Sequence, residues 1–243
     1  MSRFLTGYMI NFLPFLFVGA AVLGGFIAQE TRPTVFLFVV GWFLLVALTG
    51  AALVVRRPVR KILPEALLVF LFLISASVVN LFSESWTIRQ LIAVVASVLA
   101  GARVAFSIPG ASAERVARLM SIATAFFGAA TLLGLKLFFD WNVLFLLGGA
   151  VLLGMALNFG MMGERGVKNP AAAVFGALFF GQLFLVLSFL PLSFYLGAGV
   201  LAIGAFLFEE FFLRDIPPAG SKRRLAYFCF ALMAALFFSA KWM

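Results

Sequence analysis

Long apolar runs, rather than alternating apolar and polar positions, dominate this chain. Between Pro170 and Leu213, the 44 residues carry no charge until Glu209 and Glu210. At about 1.5 Å of rise per residue, a helix of this length would measure roughly 66 Å, about twice the thickness of a bilayer core. The stretch therefore predicts two membrane-spanning helices, with the turn between them at residues 190–193.

Read in the same way, the whole chain contains nine predicted spans of about 20 residues each. They cover residues 8–28, 33–55, 64–83, 88–107, 117–139, 142–163, 171–190, 194–213 and 224–241. Continuous apolar runs are typical of membrane helices, whereas the strands of a membrane barrel alternate at period two. The pattern predicts an all-α polytopic membrane protein in which residues 1–243 form a single transmembrane helical domain.

The basic residues distinguish the two sides of this predicted bundle. With the N-terminus in the cytoplasm, 14 of the 18 Lys and Arg residues fall in cytoplasmic segments. Such an excess is the signature of the positive-inside rule. Trp86, Trp141 and Trp242 fall at the predicted outer boundary, where amphipathic rings prefer to lie, while Trp42 lies within the second span. We therefore predict a cytoplasmic N-terminus and a C-terminus outside.

The composition supports a membrane setting and excludes several classes of function. The chain is 65% hydrophobic and 11% charged, against about 45–50% and about 25% in soluble domains. The net charge of +9 lies in short loops, so topology explains it better than nucleic-acid binding does. The compact loops favour a multi-pass protein of the plasma (inner) membrane that contacts membrane lipids.

The two halves of the chain carry similar features at similar separations. Pro64 and Pro170 are 106 residues apart, and Ile108-Pro109 and Ile216-Pro217 are 108 apart. Self-similarity at a fixed period favours two parallel four-helix repeats, as occur in some transporter folds. The repeats would cover about 8–107 and about 117–213, with an extra helix at about 224–241. Helices of equal length produce a regular hydropathy period by themselves, so that alternative stays open.

No catalytic or metal-binding motif is recognisable in the sequence. The chain has no His, no G-x-x-x-x-G-K-[ST] phosphate loop and no G-x-S-x-G nucleophile turn. The single cysteine, Cys229, lies in a predicted span, where a lone thiol without His is more typical of packing than of catalysis. We therefore predict no catalytic residue, no metal site and no cofactor.

Polar residues within the apolar spans are the candidates for function. Carboxylates inside a span usually face the protein interior or a water-filled cavity, and buried amides need hydrogen-bond partners. The predicted substrate or ion pathway consists of Gln182, Glu209, Glu210, Asn158 and Arg103. If the repeat is real, Arg103 pairs with Glu209 or Glu210. The alternatives are carboxylates that reach the interface and ordinary hydrogen bonds between helices.

Two further patterns indicate contacts with lipid and between helices. Four basic residues in one cytoplasmic segment would attract anionic lipid head groups: Arg56, Arg57, Arg60 and Lys61. Small residues recur at spacing four, which predicts closely packed helices. These are Ala93, Ser97 and Gly101; Ala125 and Ala129; Ala150 and Gly154; and Ala198 and Ala202.

Three functions are compatible with these patterns. The first is transport of a small molecule or a lipid, which the pathway residues and the repeat favour. The second is a non-catalytic membrane subunit or scaffold, bound to a partner membrane protein or to further copies of itself. The third is a membrane-embedded enzyme that acts on lipid-linked substrates through Glu209, Glu210 and Asp215. The absence of enzyme motifs weighs against the third.

Overall fold

A computed structural model describes residues 2–31, 36–54, 59–105, 111–165 and 170–210, together with Phe230. All regular structure within these ranges is helical. The helices are α1 (Ser2–Thr31), α2 (Phe36–Val54), α3 (Val59–Phe82), α4 (Trp86–Ala105), α5 (Ala111–Phe139), α6 (Val143–Arg165), α7 (Pro170–Ser188) and α8 (Phe194–Phe208). They correspond in order to the first eight predicted spans. The ninth, 224–241, lies outside the described residues apart from Phe230.

Several of these helices are suited to a lipid environment. Within the described residues, four are long and apolar enough to cross a membrane, at Pro14–Thr31, Trp86–Val104, Arg115–Phe139 and Pro170–Ser188. The other four contain shorter apolar stretches. A helix satisfies its own main-chain hydrogen bonds, as hydrocarbon requires. The chain is therefore an α-helical membrane protein, whereas the count of nine spans and the sides of the termini stay predictions.

Three helices begin earlier than hydropathy predicts. Helix α1 begins at Ser2, α3 at Val59 and α5 at Ala111, each five or six residues before the predicted start. Hydropathy marks the apolar part of a helix, but main-chain hydrogen bonding continues into the polar flank. Pro64, predicted near a first turn, consequently lies in the second turn of α3, where its missing N–H removes one main-chain hydrogen bond. Pro170 is the first residue of α7, as predicted.

The turn between α7 and α8 lies where the sequence places it. Ser193 caps α8 with extended backbone angles of φ −60° and ψ 146°, and its side chain accepts a hydrogen bond from the Leu196 N–H at 3.4 Å. Between α5 and α6, Asp140 adopts the left-handed region with φ 50°, which Asp tolerates well. Asn142 Oδ1 then accepts from the Leu144 N–H at 2.8 Å. Side-chain capping thus supports both short connections.

The chain forms two compact units, Met1–Ser121 and Ile122–Met243. In the first unit α1 packs along α4 and also contacts α2, which contacts α3. In the second unit α7 contacts both α6 and α8. The largest buried side chains of the first unit include Phe26, Phe43 and Phe72, and those of the second include Phe180 and Phe184. The four-helix repeats stay a prediction, since a division into units does not by itself establish a repeat.

Trp42 has a structural explanation for its unusual position within the second span. Its indole Nε1 donates a hydrogen bond to the main-chain carbonyl of Ala21 in α1, at 2.8 Å. The polar edge of the ring therefore finds its partner across a helix pair rather than at the membrane surface. This contact ties α2 to α1.

Replacing Trp42 by Phe should lower the free energy of unfolding by about 1 kcal/mol, because the ring remains and the hydrogen bond between helices is lost. The measurement is unfolding by SDS in mixed detergent micelles, followed by circular dichroism. Trp86→Phe is the matched control, since Trp86 is 68% exposed. Equal destabilisation in the two variants would show that the indole hydrogen bond contributes nothing.

Candidate functional site

A buried polar cluster lies in the first unit, at the end where α1 and α3 finish and α4 begins. Gln29 and Ser77 are its centre, and each is only 1% exposed. The Gln29 Nε2 donates to the main-chain carbonyl of Ser77 at 3.0 Å, and the Ser77 Oγ donates to Gln29 Oε1 at 2.6 Å. This reciprocal pair satisfies both ends of a buried amide, and it fixes α1 against α3.

The polar face of α3 continues one turn further to Asn80, and Ser83 follows directly after the end of α3; both are also buried. The Ser83 Oγ donates to the carbonyl of Val79 at 2.9 Å, and Arg89 Nε donates to the carbonyl of Ser83 at 2.6 Å. The buried Asn80 Oδ1 accepts no hydrogen bond within the described part of the chain. A buried acceptor of this kind is costly unless water or a solute satisfies it.

A carboxylate completes the cluster. Gln90 Nε2, in the first turns of α4, donates to Glu30 Oε2 at 2.9 Å, beside Gln29 on α1. The cluster thus combines amides, hydroxyls, one carboxylate and the guanidinium of Arg89. The hydrogen bonds of this cluster join α1 to α3 and α1 to α4.

In the second unit, the two predicted glutamates lie inside the protein. Glu209 and Glu210, which follow directly on α8, are 5% and 4% exposed. The Glu209 N–H donates to the carbonyls of Ala205 and Phe206, so the helical turn continues into this pair. Burial of two adjacent acidic side chains at the end of an apolar helix is unusual, because carboxylates are expensive to remove from water.

Asn158 lies at the level of the end of α8. Its Nδ2 donates to the carbonyl of Gly154, four residues earlier in α6, at 2.7 Å. A Cβ atom added at Gly176 of α7 would lie 2.6 Å from Asn158 Nδ2 and 2.6 Å from Phe208 Cε1. Asn158 and Phe208 therefore reach the same glycine, and Phe208 immediately precedes Glu209. The fold thus brings one predicted amide close to the segment that carries both glutamates.

The other predicted pathway residues lie elsewhere. Gln182 is exposed on α7, about 9 Å along the helix from Gly176. Arg103 is buried in the first unit, at 7% exposure. Its pairing with a glutamate stays a prediction. Of the four basic residues predicted to hold anionic lipid, Arg56 and Arg57 lie outside the described residues, as do the side chains of Arg60 and Lys61.

Sequence reasoning missed most of the cluster in the first unit. One signal was available, since Ser77, Asn80 and Ser83 recur every third residue and so share one side of a helix. The contribution of Gln29 had no such signal, because 48 residues separate it from Ser77. Only the packing of α1 against its neighbours brings these side chains together.

The helical fold and its long apolar helices define an α-helical membrane protein. No family model, no curated protein and no solved structure matches the chain. Its function is therefore inferred from its own residues.

Proposed function

We propose that the chain transports a small molecule or a lipid across the plasma (inner) membrane. In this proposal it is a multi-pass protein of nine spans, with the N-terminus in the cytoplasm and the C-terminus outside. The pathway involves Glu209, Glu210 and Asn158 in the second unit, with Arg103 in the first unit as a further polar residue. Gln182 was predicted to join them, but the proposal does not depend on it, because its side chain is exposed on α7.

The burial of Glu209 and Glu210 is the observation that supports transport. A side chain near the end of a span can reach the interface at little cost. A carboxylate that had no role in the protein interior would therefore be exposed. These two are instead at most 5% exposed. Ionisable groups held inside a membrane protein commonly mark ion or substrate pathways and proton relays. A buried carboxyl pair suits the transfer of a proton or the binding of a cationic or hydroxyl-bearing solute.

The test uses the purified full chain in liposomes. One assay measures the uptake of amino acids, sugars, nucleosides and organic acids from a defined mixture by mass spectrometry. A second measures the movement of a fluorescent phospholipid between leaflets. We expect one of these activities above empty liposomes, and a fall of about ten- to a hundredfold in Glu209→Gln or Glu210→Gln, because a hydrogen bond to a charged group is worth about 1.5–3 kcal/mol.

The matched control is Glu84→Gln, which neutralises an exposed glutamate in the connection between α3 and α4. It should transport at the wild-type rate. Wild-type liposomes that behave as empty ones in both assays would contradict transport. Full activity in both glutamate variants would contradict the role of the buried pair.

A second candidate function is a non-catalytic membrane subunit or scaffold. The close contact between helices favours it, since a Cβ at Gly101 of α4 would lie 2.8 Å from the main-chain oxygen of Phe15 in α1. Such contact is typical of a packed, rigid bundle. Gentle extraction followed by mass spectrometry distinguishes the two, because a subunit would co-purify with a protein partner in fixed ratio.

A further inference from the structure

The exposed side of α7 carries a polar residue where an apolar one is expected. Phe175, Leu178 and Val186 are exposed on this side, at 69%, 49% and 59%, and Phe189, directly after the helix, is 71% exposed. Gln182 is exposed between them. The opposite side of the helix is buried in the second unit through residues such as Phe180 and Phe184. An exposed aliphatic or aromatic side chain suits lipid, but an exposed amide in an apolar helix does not.

Gln182 also lies at the centre of the exposed side. At about 3.6 residues per turn, the exposed residues of α7 occupy one arc of the helix, and Gln182 points along the middle of that arc. It is six residues from the end of a 19-residue helix. An amide there cannot turn back into its own unit, and its stem is too short to reach water easily. The amide therefore needs a hydrogen-bond partner outside its own helix.

The spacing along this side matches that of a helix-pairing seam. Phe175, Leu178, Gln182 and Leu185 follow one another at intervals of three, four and three residues, and Phe189, directly after the helix, continues the spacing with a further interval of four. This is the a/d repeat that allows two helices to pack along their length. Within such seams, a single amide at a core position specifies register and orientation. Gln182 occupies one of these positions.

We propose that α7 binds α7 of a second copy of this chain, with the two Gln182 amides hydrogen-bonded to each other across a two-fold axis. Hydrogen-bond complementarity supports a second copy as the partner, since an amide has both a donor and an acceptor and can pair reciprocally with itself. In a two-fold dimer identical patches face each other. Two copies inserted in the same direction are related by an axis along the membrane normal. Identical residues of the two copies then lie at the same depth and can face each other. This inference is independent of transport.

The test is cysteine cross-linking in native membranes. In a chain whose own thiol is removed by Cys229→Ser, a cysteine is introduced by Leu178→Cys, which leaves the amide intact. Oxidation should convert the chain of 26.4 kDa to a species of twice that mass. Gln182→Cys in the same background should give the same species, because both positions face the partner.

Leu152→Cys is the matched control. Leu152 of α6 is 67% exposed, and it lies at the level of Gln182, because a Cβ at Gly181 would be 2.6 Å from Val151 Cγ2. This thiol has the same depth and a similar exposure, but it is outside the seam. It should cross-link far less than Leu178→Cys.

The contribution of the amide is tested separately by dilution of the labelled protein in liposomes. Gln182→Leu should weaken self-association about tenfold, the effect expected from losing one hydrogen bond between membrane helices. Gln182→Asn keeps an amide and should recover most of the affinity. A Gln182→Leu variant that associates as tightly as the wild type would exclude the amide pair.

Three cross-linking outcomes would overturn the proposal. Equal dimer yields from Leu152→Cys and Leu178→Cys would indicate random collision. A species of different mass from Leu178→Cys would identify another protein as the partner. A chain that remains monomeric at both seam positions, and in the dilution assay, would show that another segment of the same chain or lipid covers this side of α7.

Discussion

Replacing Gly154 by Ala should be the most destabilising single-methyl substitution in the second unit. A Cβ there would lie 2.9 Å from the Ala177 Cα and 3.1 Å from the Phe180 Cβ, both of them on α7. The first obstacle is main chain, so no rotamer change can relieve it and α7 must shift away from α6. We expect a loss of about 2–3 kcal/mol of unfolding free energy, at the upper end of overpacking effects. SDS titration in mixed micelles measures it.

Gly148→Ala provides the control on the same helix. Nothing lies within 4 Å of a Cβ at Gly148, which is exposed. This variant should be neutral or up to about 1 kcal/mol more stable, because Ala loses less main-chain entropy in a helix than Gly does. If Gly154→Ala and Gly148→Ala had the same stability, α6 and α7 would not pack as closely as the structure has them.

Gly101→Ala should have the second-largest effect, in the first unit. Its Cβ would lie 2.8 Å from the main-chain oxygen of Phe15 and 3.1 Å from the Phe15 Cδ2. The ring can move but the carbonyl cannot, so α1 and α4 must separate. We expect a loss of about 2 kcal/mol in the same titration.

Gly41→Ala is the corresponding control, because a Cβ at Gly41 of α2 meets nothing within 4 Å. The Gly41→Ala variant should unfold at the same fraction of SDS in the mixed micelles as the wild type, or at a slightly higher one. An unchanged stability of Gly101→Ala beside this control would contradict the close packing of α1 on α4.

These predictions rest on small residues that the sequence already marks as packing positions. The spacing of four at Ala150 and Gly154 predicts close helices, and both residues are buried. The same is true of Ala198 and Ala202, at 0% and 4% exposure. Spacing identifies the side of a helix but not the neighbour that it meets. That Gly154 meets Ala177, and Gly101 meets Phe15, follows only from the packing of the helices.

For the candidate site residues too, the sequence identifies the polar residues and the structure shows where their side chains lie. The sequence identifies Glu209, Glu210 and Asn158 as polar residues in apolar segments, but it leaves open whether the carboxylates reach the interface. The structure buries both glutamates and brings Asn158 and Phe208 to one glycine. It also places Gln182 on the exposed side of α7, which a uniformly apolar helix does not indicate in its sequence.

By itself, the sequence determined that this is a helical membrane protein and where its first eight helices lie. Apolar run length and main-chain hydrogen bonding are local properties, so they can be read from consecutive residues. The tertiary structure alone decided that Gln29 pairs with Ser77, that Trp42 donates to Ala21 and that Glu209 is buried. Each of these depends on which side of a helix meets which neighbour. Where nearly every side of a helix is apolar, hydrophobicity does not determine which side packs against a neighbouring helix. The fit between side chains determines it.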